Sequence, residues 1–175
     1  MTNETLGRSI FLAIARDAIA AQLKKEHYTP PFVAREINTP QGVFVTIYDL
    51  EKNLRGCIGH ITPICQTLAE EVAECARAAA FEDPRFPPLK PHELESVRFE
   101  ISLLGPLSPA ENLAQLDAKR FGIVVSAGFK RGLLLPNLDG VDTVDMQIDI
   151  ARRKAGIGNH EIITIQKFEI ERIAH

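Results

Sequence analysis

Gly42-Val43-Phe44-Val45-Thr46-Ile47-Tyr48 and Leu54-Arg55-Gly56-Cys57-Ile58-Gly59-His60, joined by the polar stretch Asp49 to Asn53, decide how this chain is read. The first run is rich in β-branched and aromatic residues, the composition of a strand. The second returns after a short turn, so the two are expected to pair as an antiparallel hairpin with Cys57 on the returning arm. Connections of this length commonly carry a bulge.

On the N-terminal side of the hairpin, Leu6, Ile10, Ala13, Ile14 and Ala21 recur at helical spacing, which predicts an amphipathic helix over about residues 3–27. Tyr28-Thr29-Pro30-Pro31 is expected to stop it, because proline supplies no N–H and pushes its predecessor out of the α region. On the C-terminal side, Thr62-Pro63 reads as a helix start, a hydroxyl acceptor followed by a residue without an N–H. Cys65, Leu68, Val72, Cys75, Ala76 and Ala79 then form one apolar stripe, with Glu70, Glu71, Glu74 and Arg77 mostly on the wet face outside it, which assigns Cys65 and Cys75 to the core. The rigid segment from Asp83 to Pro88 ends that helix, and a connection near 83–91 is expected between two lobes of a single domain spanning 1–175.

Val97, Phe99, Ile101 and Leu103 alternate with polar residues as in a half-buried strand. After a short helix near Leu113 to Ala118, a second hairpin runs through Gly122–Val125 and Gly132–Leu135. A helix marked by Val144, Ile148, Ala151 and Ala155 is closed by Gly156, and a final strand is expected over Ile162 to Ile170. Hairpins with helices set between them specify an α+β fold, a mainly antiparallel sheet with flanking helices.

With 175 residues and 45% apolar content the chain can bury a core without staples. The formal charge of −3 mixes both signs along the chain, which argues against nucleic acid and anionic membranes as partners. No apolar run approaches the roughly 20 residues of a membrane helix. Three cysteines argue against a disulfide framework and suit the cytoplasm.

Side chains two apart on a strand share a face, so Arg55 and Cys57 are expected to project together, with Cβ atoms roughly 7 Å apart. Leu54 and Ile58 would then enter the core. A guanidinium favours thiolate over thiol, and so does a helix N-terminus aimed at the sulfur. Against this stands the plain packing role common for a free cysteine. His60 is the nearby general base, and it reaches the Cys57 face only if Gly59 breaks the alternation. Gly56 and Gly59 lack side-chain bulk and would let a substrate or another backbone come close. Arg85 and Arg131 are candidate anion-binding residues if they fold near Arg55. Cys57, His60 and Cys65 supply three metal ligands without a clear fourth, so no metal and no cofactor is expected. No Walker loop, dinucleotide fingerprint, nucleophile-elbow serine or zinc-protease helix is present.

Three strings, Leu54-Arg55-Gly56-Cys57-Ile58-Gly59, Asp83-Pro84-Arg85-Phe86-Pro87-Pro88-Leu89 and Arg131-Gly132-Leu133-Leu134-Leu135-Pro136, together resemble the AMMECR domain family over nearly the whole chain. The resemblance implies an α+β fold of two lobes with the Leu-Arg-Gly-Cys-Ile-Gly string lining a cleft between them. It also implies a Memo-like protein and a radical SAM protein as partners, because bacterial and archaeal relatives travel with them. It implies no particular reaction. Asn137 stands where relatives often carry glutamine, and Leu138 to Thr143 is a short segment lacking their tryptophan.

Two functional readings follow. In the first, a small cytoplasmic enzyme uses Cys57 as nucleophile or redox thiolate, Arg55 as anion and thiolate stabiliser and His60 as proton acceptor. In the second, Leu54 to His60 forms a groove that docks a peptide or partner protein, and Cys57 only packs.

Overall fold

The computed structural model describes residues 9–174. Strands β1 (Val43–Asp49) and β2 (Leu54–His60) form the expected antiparallel hairpin. Its turn is built by Asp49, whose Oδ1 accepts from the N–H of Glu51 at 2.9 Å and of Asn53 at 2.8 Å. An aspartate that satisfies the backbone two residues on is a local turn former, which is why the chain reverses here.

The chain divides into two compact units, one running to Leu103 and resuming at Arg172, the other spanning Leu104–Glu171. In the first unit the sheet order is β2-β1-β3-β8, with β3 at Val97–Leu104 and β8 at Ile170–Ala174. Val43, Val45 and Ile47 of β1 stand beside Leu103, Ile101 and Phe99 of β3, all buried, on one face of the sheet. Helices α1 (Ile10–Leu23) and α2 (Leu68–Phe81) share that core through Phe11, Ile14, Ile19, Val72 and Cys75. Each such fully buried large side chain contributes roughly 1.5–3 kcal/mol of transfer free energy.

Helix α1 stops at Leu23, ahead of the prolines. Lys25 takes a left-handed conformation (φ 59°), and the N–H groups of Lys25 and Glu26 donate to the carbonyls of Gln22 and Ala21. This Schellman arrangement closes the helix without a glycine. The part of the expected helix over residues 3–8, Leu6 and Arg8 included, lies outside the described residues.

Helix α2 begins later than Thr62-Pro63 suggests. Its N-cap is Thr67, whose hydroxyl accepts from the Glu70 N–H while the Glu70 carboxylate takes the Thr67 N–H. This reciprocal box outcompetes the earlier Thr-Pro signal because it satisfies two orphan donors at once. Cys65 therefore sits in the loop before the helix and is only half-buried, whereas Cys75 is fully buried on α2. The segment 83–91 lies inside the first unit, tied back to α2 by the Leu89 N–H on the Ala80 carbonyl and by burial of the Leu89 side chain.

In the second unit the sheet order is β4-β7-β5-β6, with β4 at Ser108–Pro109, β5 at Gly122–Ala127, β6 at Lys130–Leu134 and β7 at Thr164–Phe168. Helix α3 (Val144–Ala155) covers it through Ile148 and Ala151, and Gly156 (φ 64°) closes that helix as expected. Between Leu113 and Ala118 only one 3-10 turn forms, Leu113–Gln115. Asn137 adopts φ 54°, a left-handed conformation that asparagine tolerates better than most residues, with its N–H on the Ala118 carbonyl.

The strand expected over Ile162 to Ile170 forms as β7, shortened to Thr164–Phe168, but it is not the final one: β8 follows in the other sheet. Phe168 of β7 is buried against Gly122 of β5, while Ile173 of β8 joins the core of the first unit. The residues on either side of Glu169 thus belong to different sheets, and periodicity alone carries no mark of the break. Among the described residues no helix is long and apolar enough to cross a membrane.

Candidate functional site

Cross-strand partners share a face, so the register shows where each hairpin side chain points. Val43, Val45 and Ile47, all core residues, stand opposite His60, Ile58 and Gly56. His60, Ile58 and Gly56 are therefore on the helix-covered face. Thr46 stands opposite Cys57, Phe44 opposite Gly59, and Tyr48 opposite Leu54, all on the other face. The register slips between Ile47 and Tyr48, leaving Arg55 as the extra residue of a bulge. That bulge places Leu54, 38% exposed, on the side of Cys57 and out of the core.

β2 is the outermost strand of its sheet, and the backbone of Cys57 is held from outside by the Asp83-Pro84-Arg85 turn. The Cys57 N–H donates to Asp83 Oδ2 at 2.9 Å, and Arg85 Nη2 donates to the Cys57 carbonyl at 3.4 Å. Asp83 also takes Arg85 Nε at 2.9 Å on Oδ1 and Arg85 Nη2 at 2.6 Å on Oδ2. These bonds, the Arg85 side chain first, hold the buried Asp83 carboxyl down at about 2. Arg85 in turn is raised, first by its bonds to Asp83 and further, where Cys57 is ionised, by the thiolate. The half-buried Cys57 Sγ lies 3.3 Å from the Thr46 hydroxyl. Close side-chain approach of this kind belongs to a strand pair that exchanges no backbone hydrogen bonds, and it frees the Cys57 N–H for Asp83.

Arg55 is committed elsewhere. Its Nε and Nη2 donate to the two carboxylate oxygens of Glu93 at 2.8 and 3.2 Å, a bidentate pair with the arginine side chain 14% exposed. The arginine beside Cys57 is Arg85. Arg131 belongs to the second unit, on β6, where Nη2 donates to Gln166 Oε1 at 3.4 Å. Neither glycine opens onto a ligand. A Cβ on Gly56 would lie 2.1 Å from the Ala79 carbonyl oxygen of α2, and one on Gly59 would meet the Val43 carbonyl and the Phe44 ring.

His60 points away from Cys57, and β2 runs through Gly59 without a break. Its Nδ1 lies 2.5 Å from Glu71 Oε1 and 3.6 Å from Cys75 Sγ. Glu71 is wholly buried, and its Oε2 accepts from the N–H groups of Ile64 at 2.8 Å and Cys65 at 2.7 Å. Burial pushes the Glu71 carboxyl up, but the Cys65 N–H, the His60 ring and the Ile64 N–H outweigh it and hold it below the usual range. Burial and then Glu71 push the Cys65 thiol up to about 11 and the Cys75 thiol up to about 12. The trio Cys57, His60 and Cys65 does not converge, because Cys57 and His60 lie on opposite faces.

A family model described as AMMECR1 matches residues 12–173 of this chain. The chain belongs to the AMMECR1 family. An AMMECR1 relative in Thermotoga maritima is 44% identical over 132 residues, 75% of this chain and 76% of that protein. One in Clostridium acetobutylicum is 38% identical over 166 residues, 93% of this chain but only 35% of that longer protein. A solved structure of an uncharacterized protein from Pyrococcus horikoshii matches with a TM-score of 0.83 at 30% identity, covering 93% of this chain and 88% of that one.

The AMMECR1 strings now have physical content. Gly56 in the first and Gly132 in the third each face a helix carbonyl, Ala79 and Ala151, at 2.1 Å from where a Cβ would stand. The second string supplies the clamp on Cys57. The sequence carries little sign of the bond between Asp83 and Cys57 or of the parts played by Glu71, Glu93 and Thr46. Glu71 carried one usable signal: it lies four residues before Cys75 on a helix, so both side chains share a face.

Proposed function

We propose that the AMMECR1 hairpin presents Cys57 as the reactive thiol of a small enzyme site, acting as nucleophile or redox thiolate on a small substrate. The observation that carries this reading is the clamp on Cys57, where Asp83 and Arg85 hold both backbone groups and the Arg85 guanidinium, bound to the Cys57 carbonyl, is within electrostatic reach of the thiol. A thiolate is the reactive form, and a neighbouring cation favours it. Thr46 supplies a hydroxyl to the same sulfur. Arg85, 55% exposed at its side chain, can also meet an anionic group of the substrate. Arg55, spoken for by Glu93, orders the bulge, and His60 acts on the other face.

The docking-groove reading draws no support from the glycines, since the space beside each is filled by the chain's own atoms. The outer edge of β2 at Cys57 is also occupied by Asp83 and Arg85 rather than open to an added strand.

Peptide-resolved alkylation of the folded protein near pH 7 tests the proposal. Cys57 is expected to label fastest of the three cysteines. Arg85→Ala should slow it roughly fivefold, the equivalent of about 1 kcal/mol, the upper end for an interaction with a solvent-exposed charge. A Cys57 that labels no faster than Cys65, or whose rate is indifferent to Arg85, removes the basis of the reading.

A further inference from the structure

The helix-covered face of β2 carries a second cluster of reactive side chains that the Cys57 site does not use. Donor atoms of His60, Glu71 and Cys75 all lie within 4.8 Å of one another. The way they meet separates two kinds of chemistry. A Cys-His-acid relay uses both ring nitrogens, one toward the acid and the other toward the sulfur. Here Glu71 Oε1 at 2.5 Å and Cys75 Sγ at 3.6 Å both crowd on Nδ1, and one N–H cannot serve the two. Nitrogen, oxygen and sulfur converging on a single point is an arrangement of metal ligands. We propose that His60, Glu71 and Cys75 bind a borderline divalent transition metal, zinc being the biological ion that this donor set suits, with three protein ligands and an exchangeable fourth position.

The donor atoms, all within 4.8 Å of one another, stand near the separations of a tetrahedral centre. Ligands at about 2.0–2.1 Å for nitrogen and about 2.3 Å for sulfur stand roughly 3.5 Å apart at a tetrahedral centre, and the nitrogen and sulfur are already 3.6 Å apart. The nitrogen–oxygen separation must open from 2.5 Å to roughly 3.3 Å. His60 can make that movement, because its side chain is 29% exposed while Glu71 is at 0%. The same exposure gives an ion its way in.

Glu71 is already oriented for the task. Its Oε2 is fixed by the Ile64 and Cys65 N–H groups, so Oε1 is held toward His60. Hydrogen bonds that aim a ligating carboxylate are the usual outer support of a metal centre. Glu71 and Cys75 are one helical turn apart on α2, and His60 approaches from the end of a strand, so the ligands sit on regular elements. Donors placed in this way need little ordering when the ion arrives.

Cobalt(II) titration of metal-stripped protein is the test, with zinc as competitor. The expected result is one equivalent bound, with tetrahedral d–d bands and a sulfur-to-cobalt charge-transfer band that zinc displaces. Cys75→Ser should abolish the charge-transfer band and weaken binding at least about 100-fold, the upper end of losses seen even for outer-shell changes. His60→Asn, at the half-exposed rim, should weaken binding likewise while circular dichroism stays unchanged, which guards against misfolding of the buried variant. Cys57→Ser and Cys65→Ser should keep the band and the affinity. Absence of stoichiometric binding overturns the proposal, as does a charge-transfer band that survives Cys75→Ser or disappears with Cys65→Ser.

Discussion

Asp83→Asn is the substitution that most directly tests how the Cys57 site is held. The wild-type carboxyl is kept at about 2 against an ordinary 3.8, chiefly by the Arg85 side chain, with the Cys57 N–H adding to it. A carboxyl depressed by that amount stabilises the fold by about 2 kcal/mol near neutral pH. Asparagine keeps an oxygen for the Cys57 N–H but turns an NH2 group toward the Arg85 guanidinium, so the pairing is lost without a change of shape. The expected fall in Tm is about 4–8 °C for a chain of this size. The sign with pH follows from linkage. The contribution is fully present above 3.8 and fades as pH falls toward about 2. Urea unfolding of both proteins from about pH 7 down to about pH 2.5 should therefore show a gap that narrows only in the acid range. A gap below about 0.5 kcal/mol at neutral pH, or one that is constant across the series, would refute the clamp as described. Alkylation of Cys57 in the same samples should respond in step, because the strand edge at the thiol loses its fixed position.

Gly56→Ala places a methyl where the Ala79 carbonyl stands, and Gly132→Ala does the same against Ala151. Overpacking against a backbone atom costs about 1–3 kcal/mol, outweighing the roughly 0.4–1 kcal/mol gained from a stiffer unfolded chain; thermal unfolding that leaves Tm unchanged would contradict the close approach. Thr67→Ala removes the cap of α2 and should cost about 0.5–2 kcal/mol, whereas Thr62→Ala should be near neutral, which chemical denaturation of the pair decides. Cys75, buried with its thiol at about 12, should resist alkylation at about pH 8 until denaturant is added; rapid labelling of the folded protein would show that its shielding is misread.

The hairpins and α3 were legible because their signals are local. Alternation in β3, the turn at Asp49 and the glycine after Ala155 each act over a few residues, and the structure follows them. The start of α2 was misread because two N-terminal signals lie five residues apart and the better-satisfied one prevailed. The site was half legible. Cys57 was singled out on its own chemistry, but its neighbours come from residues 26 and 28 positions further on, Asp83 and Arg85, and from the cross-strand Thr46. Arg55 illustrates the limit of counting by twos: a single bulge removes the alternation that would have set it beside Cys57. Glu71 was read as part of a wet helix face, yet it is buried, because two loop N–H groups and a histidine take the place of water around it.

The path of the chain after β3 bears on how this protein is made. The strand that completes the first sheet, β8, is separated from its neighbour β3 by the whole of Leu104–Glu171. On the ribosome, at roughly 5–20 residues per second, the flank of β3 is exposed for several seconds before β8 emerges. The second unit, whose residues are contiguous, can fold within that interval. Synthesis therefore finishes the inserted unit before its host, and the host's unpaired strand is the point in the nascent chain most open to chaperones and to mispairing.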